Sequence, residues 1–251
     1  VERARAGVRV NLVMDAIGSF RFMLTGIEKL EEAGGEVQIY HGFRWNELPR
    51  LNSRTHREIV VVDCKVGFVG GPGFADHWLY DTPDKRRWRD TMFRIEGDSV
   101  AALQATFVEN YLEASGELLT GDRYFCFDSK QTDSAVLVVD SSVSTGQSTR
   151  ARMLFQTLFA AAQKEILIAT PYFLPDKGVR KEIERAIVER DVRVRIICPG
   201  QHTDHYMTRH SSRRLWGSLL KAGVEIFEYQ PTMMHAKVLI VDSAWAVFGS
   251  T

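Results

Sequence analysis

The sequence predicts an α/β fold built from two similar halves, and three observations carry that expectation. Apolar residues alternate along the chain between strand-like and helix-like spacing. Three segments of the first half recur, in the same order, in the second. A weakly patterned stretch rich in Ser, Thr, Asp and Gln, residues 120–150, lies between them. The expected organisation is a first half over 1–119, a connector over 120–150 and a second half over 151–251. Each half is expected to be a mixed or parallel sheet flanked by helices. The chain reads as entering the first half, and leaving the second, part-way through.

The elements follow in order. VERARA reads as the tail of a helix and VRVNLVMD (8–15) as a buried strand. Residues 20–34 have helical apolar spacing and end on Gly34, a C-cap signal. EVQIY (36–40) is a strand, and REIVVVD with KVGFVGG is a strand, a tight turn and a strand. TMFRIEG (91–97) is a strand, followed by a helix over 98–116 capped by Asp98 or Ser99. The second half reads as helix 151–164, strand EILIA, helix KGVRKEIERAIVER, strand VRVRIICPG, helix 212–223 and strand VEIFEY. The strand-turn-strand HAKVLIVDSAWAVFGS closes the series.

The repeats are explicit. AGVRVNLVMD resembles RDVRVRIICPG, LEEAGGEVQIY resembles LLKAGVEIFEY, and HREIVVVDCKVGFVGG resembles HAKVLIVDSAWAVFGS. Similar halves are expected to pack about a pseudo-twofold axis, as homodimers do, with one active site at that interface.

Composition narrows the function. Hydrophobic residues make up 45% and charged residues 25%, and formal net charge is zero. No global charge draws the chain to nucleic acid, so no nucleic-acid partner is expected. No apolar run reaches the ~18 residues of a membrane span, and no signal peptide is visible. Cys64, Cys126 and Cys198 lack metal-ligand spacing and read as reduced core thiols.

The third repeat carries the chemistry. Strand alternation puts His235 and Lys237 on one face, with Asp242 of opposite parity. In the first half His56 and Glu58 share a face and Asp63 has the opposite parity. Two histidines and a cation suit phosphoryl transfer. One imidazole attacks phosphorus, the other moves protons, and lysine holds a non-bridging oxygen. The scheme needs no metal or cofactor. The parity of Asp63 and Asp242 points to turn or supporting roles, and Asp90 in WRDT is the candidate carboxylate for His56.

The pattern H-x-K-x4-D followed by Gly-Ser (His235, Lys237, Asp242, Gly249, Ser250) resembles the signature of the phospholipase D superfamily. His56, Asp63 and Gly70 repeat its spacing. RWRDTMFRIEG, ATPYFLPD, LLKAGVEIFEYQPTMMHAK and FGST look most like bacterial cardiolipin synthases of that superfamily. The resemblance implies two α/β halves around one site and a phosphatidyl group carried on histidine from one lipid to an alcohol. It implies His56 as nucleophile and His235 as general acid and base, with Lys237, Asp63, Asp242 and Asp90 as further catalytic candidates. Glu58, Gly70, Gly71, Gly249 and Ser250 are the candidate substrate-binding positions. The implied partners are phosphatidylglycerol or a similar phospholipid and a membrane surface, on the cytoplasmic side of the bacterial membrane.

Two positions depart from the family pattern. Glu58 stands where a lysine is usual, and Gly73 where an asparagine is usual. Arg57 cannot substitute, because parity sends it to the other face. Two alternatives therefore stay open: a phosphodiesterase using water (a phospholipase D or a nuclease), and a catalytically impaired relative that binds anionic lipid. Lipid-contact candidates outside the motif are the basic run KRRWR (85–89), the aromatic TPYFLP (170–175), the His- and Arg-rich stretch 202–214, and Trp45 and Trp78.

Overall fold

The computed structural model describes residues 1–16, 19–23, 26–40, 55–126, 134–140 and 149–250. Trp45 and much of the 120–150 connector lie outside them. The first elements are α1 (Glu2–Arg5), β1 (Asn11–Asp15), α2 (Phe20–Met23), α3 (Ile27–Glu31), β2 (Glu36–Tyr40), β3 (Ile59–Val62), β4 (Val66–Gly70), α4 (Asp76–Leu79), β5 (Met92–Glu96) and α5 (Ser99–Ser115). There follow α6 (Arg150–Ala161), β6 (Glu165–Ala169), α7 (Lys177–Arg190), β7 (Arg193–Pro199), α8 (Tyr206–Ala222), β8 (Glu225–Tyr229), β9 (Val238–Val241) and β10 (Trp245–Phe248). The expected α/β class with helix-flanked sheets is what the chain forms.

The chain divides into two compact units: Val1–Gly67 with Ile95–Val138, and Phe68–Arg94 with Val139–Thr251. β3, β4 and β5 pair in that order, and the division falls inside β4 and β5.

In the first unit β1 and β2 run parallel, from Asn11 opposite Glu36 to Asp15 opposite Tyr40. Leu30, Ala33 and Ala4 pack with Val10, Leu12 and Val37 on this pair. Within the stretch expected as a helix over 20–34, α2 and α3 are described, with Gly26 as the N-cap of α3, and residues 24 and 25 lie outside the described residues. Gly34 does adopt the left-handed conformation that ends a helix, φ +89°. α5 starts at the expected place, but Asp98 makes no side-chain capping bond. Val108, Tyr111 and Leu119 form a second small core.

The second unit is built on a five-stranded sheet in the order β10-β9-β6-β7-β8. β6, β7 and β8 are parallel, while β9 is antiparallel to β6 and β10 to β9. Period-two burial along β7 sends Val194, Ile196 and Cys198 into a core with Leu158, Phe159, Ile183, Ala186 and Leu219 from α6, α7 and α8. Burial pushes the Cys198 thiol up to about 12. Cys64 and Cys126, by contrast, are partly exposed loop residues and not core thiols. Burial, then the Cys126 thiol, pushes Cys64 up to about 11. α7 begins on Asp176, whose carboxylate accepts from the N–H groups of Gly178 (2.6 Å) and Val179 (3.0 Å). α8 begins at Tyr206, earlier than the expected 212, and its N-cap His205 makes no side-chain bond.

Both strand-turn-strand repeats are two-residue hairpins. Lys65 N–H donates to Val62 C=O (3.0 Å) and Ala244 N–H to Val241 C=O (3.0 Å). The central residues have positive φ: Asp63 (51°) and Cys64 (57°), then Asp242 (54°) and Ser243 (54°). This is the mirror-image turn whose twist suits a hairpin.

Candidate active site

His235 lies just before β9, where Met234 forms a parallel bridge with Arg89. Arg89 N–H donates to Met233 C=O (2.8 Å), and His235 N–H donates to Arg89 C=O (2.7 Å). That register sets Asp90 beside the imidazole. Its Oδ2 lies 2.8 Å from His235 Nδ1, and its Oδ1 accepts from the Thr91 N–H at 2.7 Å. The Asp90 side chain is 2% exposed and that of His235 15%. An ionised Asp90 can only accept, so it fixes a proton on Nδ1 and leaves Nε2 as the nitrogen that gives or takes one. Lys237 Nζ stands 3.2 Å from Nε2 and 3.3 Å from Nδ1. An imidazole, a buried carboxylate and a cation are therefore assembled in one unit.

The sequence reading assigns Asp90 to His56, whereas the structure gives it to His235. Strand parity within one segment cannot reveal a bridge between segments 145 residues apart. Gly71 makes the approach possible: a Cβ there would stand 2.6 Å from both Asp90 carboxylate oxygens. At Gly70 a Cβ would stand 2.3 Å from Thr91 O. Both candidate binding glycines are thus close-approach positions against the segment that carries Asp90. Around Gly249 nothing lies within 4 Å of the Cβ position, and Ser250 is partly buried.

Three aromatic rings surround His235. Trp88, Trp78 and Tyr172 have centroids 5.7, 5.8 and 6.1 Å from the imidazole. Trp88 also meets His77 at 4.2 Å and Trp78 at 5.2 Å. Burial, and then the charge of His235, holds the His77 imidazole below its ordinary value. Tyr172 OH bonds Asp204, and its ring lies 5.7 Å from His205. Burial, followed by Asp204, raises the Tyr172 phenol. So TPYFLP and KRRWR each supply one aromatic wall, through Tyr172 and Trp88. Trp78 faces the histidine, and the sequence reading has no place for His77. Farther along 202–214, Arg209 is paired with Glu228 at 2.9 Å, and Arg213 stacks on Trp216 at 5.8 Å.

Asp242 is not with these groups. It follows His235 by seven positions of largely extended chain, on the order of 20 Å away. Its carboxylate accepts from the N–H groups of Gln163 (2.8 Å), Lys164 (2.7 Å) and Glu165 (2.9 Å). Partial burial opposes ionisation, but these donors outweigh it and hold the carboxyl below its usual range. The carboxylate pins the β9–β10 turn to the α6–β6 junction, a structural task in place of the candidate catalytic one. Asp63 holds the matching position in the β3–β4 turn.

His56 belongs to the first unit and is exposed. Both of its neighbours are tied to α5. Thr55 Oγ1 accepts from Asn110 Nδ2 (2.7 Å). Arg57 Nη1 donates to Asn110 Oδ1 (2.7 Å), Glu109 (2.8 Å) and the Thr106 carbonyl (3.1 Å). Arg57 is thus committed elsewhere, as parity suggested, and partly buried Glu58 leads into β3. Among the described residues no group of three or more His, Cys, Asp or Glu could hold a metal, and no helix is long and apolar enough to cross a membrane.

Residues 155–251 match the family model described as "Cardiolipin synthase, PLD-like domain". A probable cardiolipin synthase of Bacillus subtilis is 33% identical over 257 residues, covering 100% of this chain and 50% of that protein. Residues 155–251 thus carry a phospholipase D-like domain, and the whole chain is similar to cardiolipin synthases. Other relatives agree: cardiolipin synthase of Alkalihalophilus pseudofirmus (32% identical, 100% of this chain, 50% of the relative) and cardiolipin synthase A of Pseudomonas fluorescens (33%, 100%, 51%). This cardiolipin synthase-like chain spans about half the length of the curated relatives it matches. The crystal structure of a phosphatidylserine synthase from Haemophilus influenzae shares the fold, with a TM-score of 0.54 at 14% identity over 96% of this chain and 72% of that one.

Proposed function

We propose that this chain carries phosphatidyl transfer that makes cardiolipin from phosphatidylglycerol. The observation that supports it best is His235 with Nδ1 on the buried Asp90 and Nε2 beside Lys237. In the first step a ring nitrogen of His56 attacks the lipid phosphorus. The P–O bond to glycerol breaks as doubly protonated His235 gives its Nε2 proton to the leaving oxygen. Asp90 stabilises the imidazolium before that transfer and keeps the ring oriented after it. In the second step neutral His235 takes the hydroxyl proton of a second phosphatidylglycerol, whose oxygen attacks phosphorus and breaks the P–N bond. Lys237 neutralises a non-bridging oxygen in both steps. The reaction belongs at the cytoplasmic surface of the bacterial membrane, where the substrates reside. The alternatives, transfer to water or lipid binding without turnover, differ in product and not in fold.

The test is to incubate the protein with labelled phosphatidylglycerol and score cardiolipin, phosphatidic acid and a phosphohistidine adduct. Cardiolipin that disappears in His56→Ala and His235→Ala is the expected result. Phosphatidic acid alone would assign the hydrolase. No product and no adduct, with activity gained in Glu58→Lys, would overturn the transferase reading in favour of an impaired relative.

A further inference from the structure

The two most exposed large hydrophobic residues among those described are Phe74 and Met207, each 86% exposed. Both belong to segments that wall His235. Phe74 lies in the loop that leaves at Gly71 and returns at Asp90, closed by the Gly71 N–H to Thr91 C=O bond (3.4 Å). The same loop turns Trp78 and Trp88 inward onto the histidine, and Trp88 N–H ties it across to His77 C=O at 2.7 Å. Leu79 and Tyr80 are 60% and 62% exposed on that loop. Met207 and exposed Tyr206 open α8, directly after Asp204 and His205, which touch Tyr172 and so form the other wall. Ordinary surfaces scatter such residues singly.

Charge accompanies the apolar rim. Lys85, Arg86, Arg87 and Arg89 are exposed on the first loop. The loop's own acids are Asp76, Asp81 and Asp84, of which Asp81 is turned back to accept from the Arg87 N–H at 2.7 Å. Apolar side chains beside a run of cations fit the interface of a bilayer bearing anionic phosphates. A protein partner would not by itself call for that combination next to a lipid-phosphate site.

We propose that the loop 72–89 and the start of α8 form a docking rim that inserts Phe74, Leu79, Tyr80, Tyr206 and Met207 into an anionic lipid surface, with Lys85, Arg86 and Arg87 on its phosphates. This deepens the transferase reading and rests on it for its purpose. The rim delivers headgroups to His235 without extracting a lipid from the bilayer. Each cation near an anionic surface is worth roughly fivefold in binding, so the three together are worth on the order of 100-fold at low salt.

The test is hydrogen–deuterium exchange of the peptides covering 72–89 and 202–210, with vesicles of phosphatidylcholine alone or mixed with phosphatidylglycerol. Slowed exchange in both peptides on the anionic vesicles is expected. It should shift to roughly 100-fold higher lipid in Lys85/Arg86/Arg87→Gln, be lost in Phe74/Leu79/Met207→Ser, and persist in Val188→Ser, an exposed control on α7. Equal exchange with and without vesicles, or protection that is complete before lipid is added, overturns the proposal. So does protection unchanged in both rim variants. Exchange needs no turnover, so failure of the transferase reading leaves this result standing.

Discussion

Replacing Asp242 by alanine removes three acceptor contacts at the α6–β6 junction, and the cost can be worked from their surroundings. The bonds from Gln163 and Lys164 are exposed, so water replaces the carboxylate there and little is lost. The bond from the Glu165 N–H, 2.9 Å and part-buried, is not so easily replaced. A hydrogen bond to a charged group is worth about 1.5–3 kcal/mol, and orphaning a buried donor costs a similar amount. Asp242→Ala should therefore destabilise the protein by about 2–3 kcal/mol. Asp242→Asn, which keeps one acceptor oxygen, should cost about half that. The pH dependence has a definite sign. A carboxyl held below its unfolded value of about 3.9 contributes stability that is full above that value and lost as pH falls through the lower, folded one. The gap between wild type and Asp242→Asn should therefore be widest near pH 7 and close on acidification below about 4. Urea unfolding at several pH values measures it, with turnover per folded molecule scored at pH 7. A loss under 0.5 kcal/mol, or a folded Asp242→Ala protein without turnover, would refute the structural assignment.

Further expectations concern the site and the turns. Asp90→Asn should lower kcat for phosphatidyl transfer by about 10²- to 10⁴-fold with little change in the apparent KM for lipid, because it removes the partner that orients His235. Steady-state kinetics on mixed vesicles check this, and activity within threefold of wild type would count against it. Gly71→Ala should reproduce that loss by pushing the Asp90 carboxylate from its place. Gly70→Ala, which meets backbone instead, should show its effect in thermal stability. Cys64→Gly should stabilise the β3–β4 hairpin by about 0.5–1 kcal/mol, since left-handed φ is costly for any residue with a Cβ and nearly free for glycine. A raised urea midpoint at unchanged slope is the readout.

What could be read from the chain divides along physical lines. Strand alternation and hairpin turns are local, so the α/β class and most elements of the second unit were legible. The start of α8 was missed because His205 makes no capping bond that would announce a terminus. His235 and Lys237 were visible as a motif, and the parity of Asp242 already set it apart from them. The pairing of Asp90 with His235 was not visible, because it depends on the Arg89–Met234 bridge, a tertiary contact with no local signature. The aromatic wall was equally hidden: Trp88 sits among four cations, and its inward face follows from the loop's closure.

The separation of Asp90 and His235 also bears on how the protein is made. The two residues are 145 positions apart. At roughly 5–20 residues per second, the ribosome needs about 7 to 30 s after Asp90 emerges before its histidine exists. Through that interval the segment around Arg89 has an unpaired edge, and the carboxylate destined for burial remains in water. Closing a loop of that length costs about 4 kcal/mol of chain entropy. The acid–base pair is therefore among the last contacts to form on a nascent chain. Enzymatic competence should trail the appearance of the helices during refolding, and a ribosome stalled shortly before His235 would display much of the secondary structure without the site.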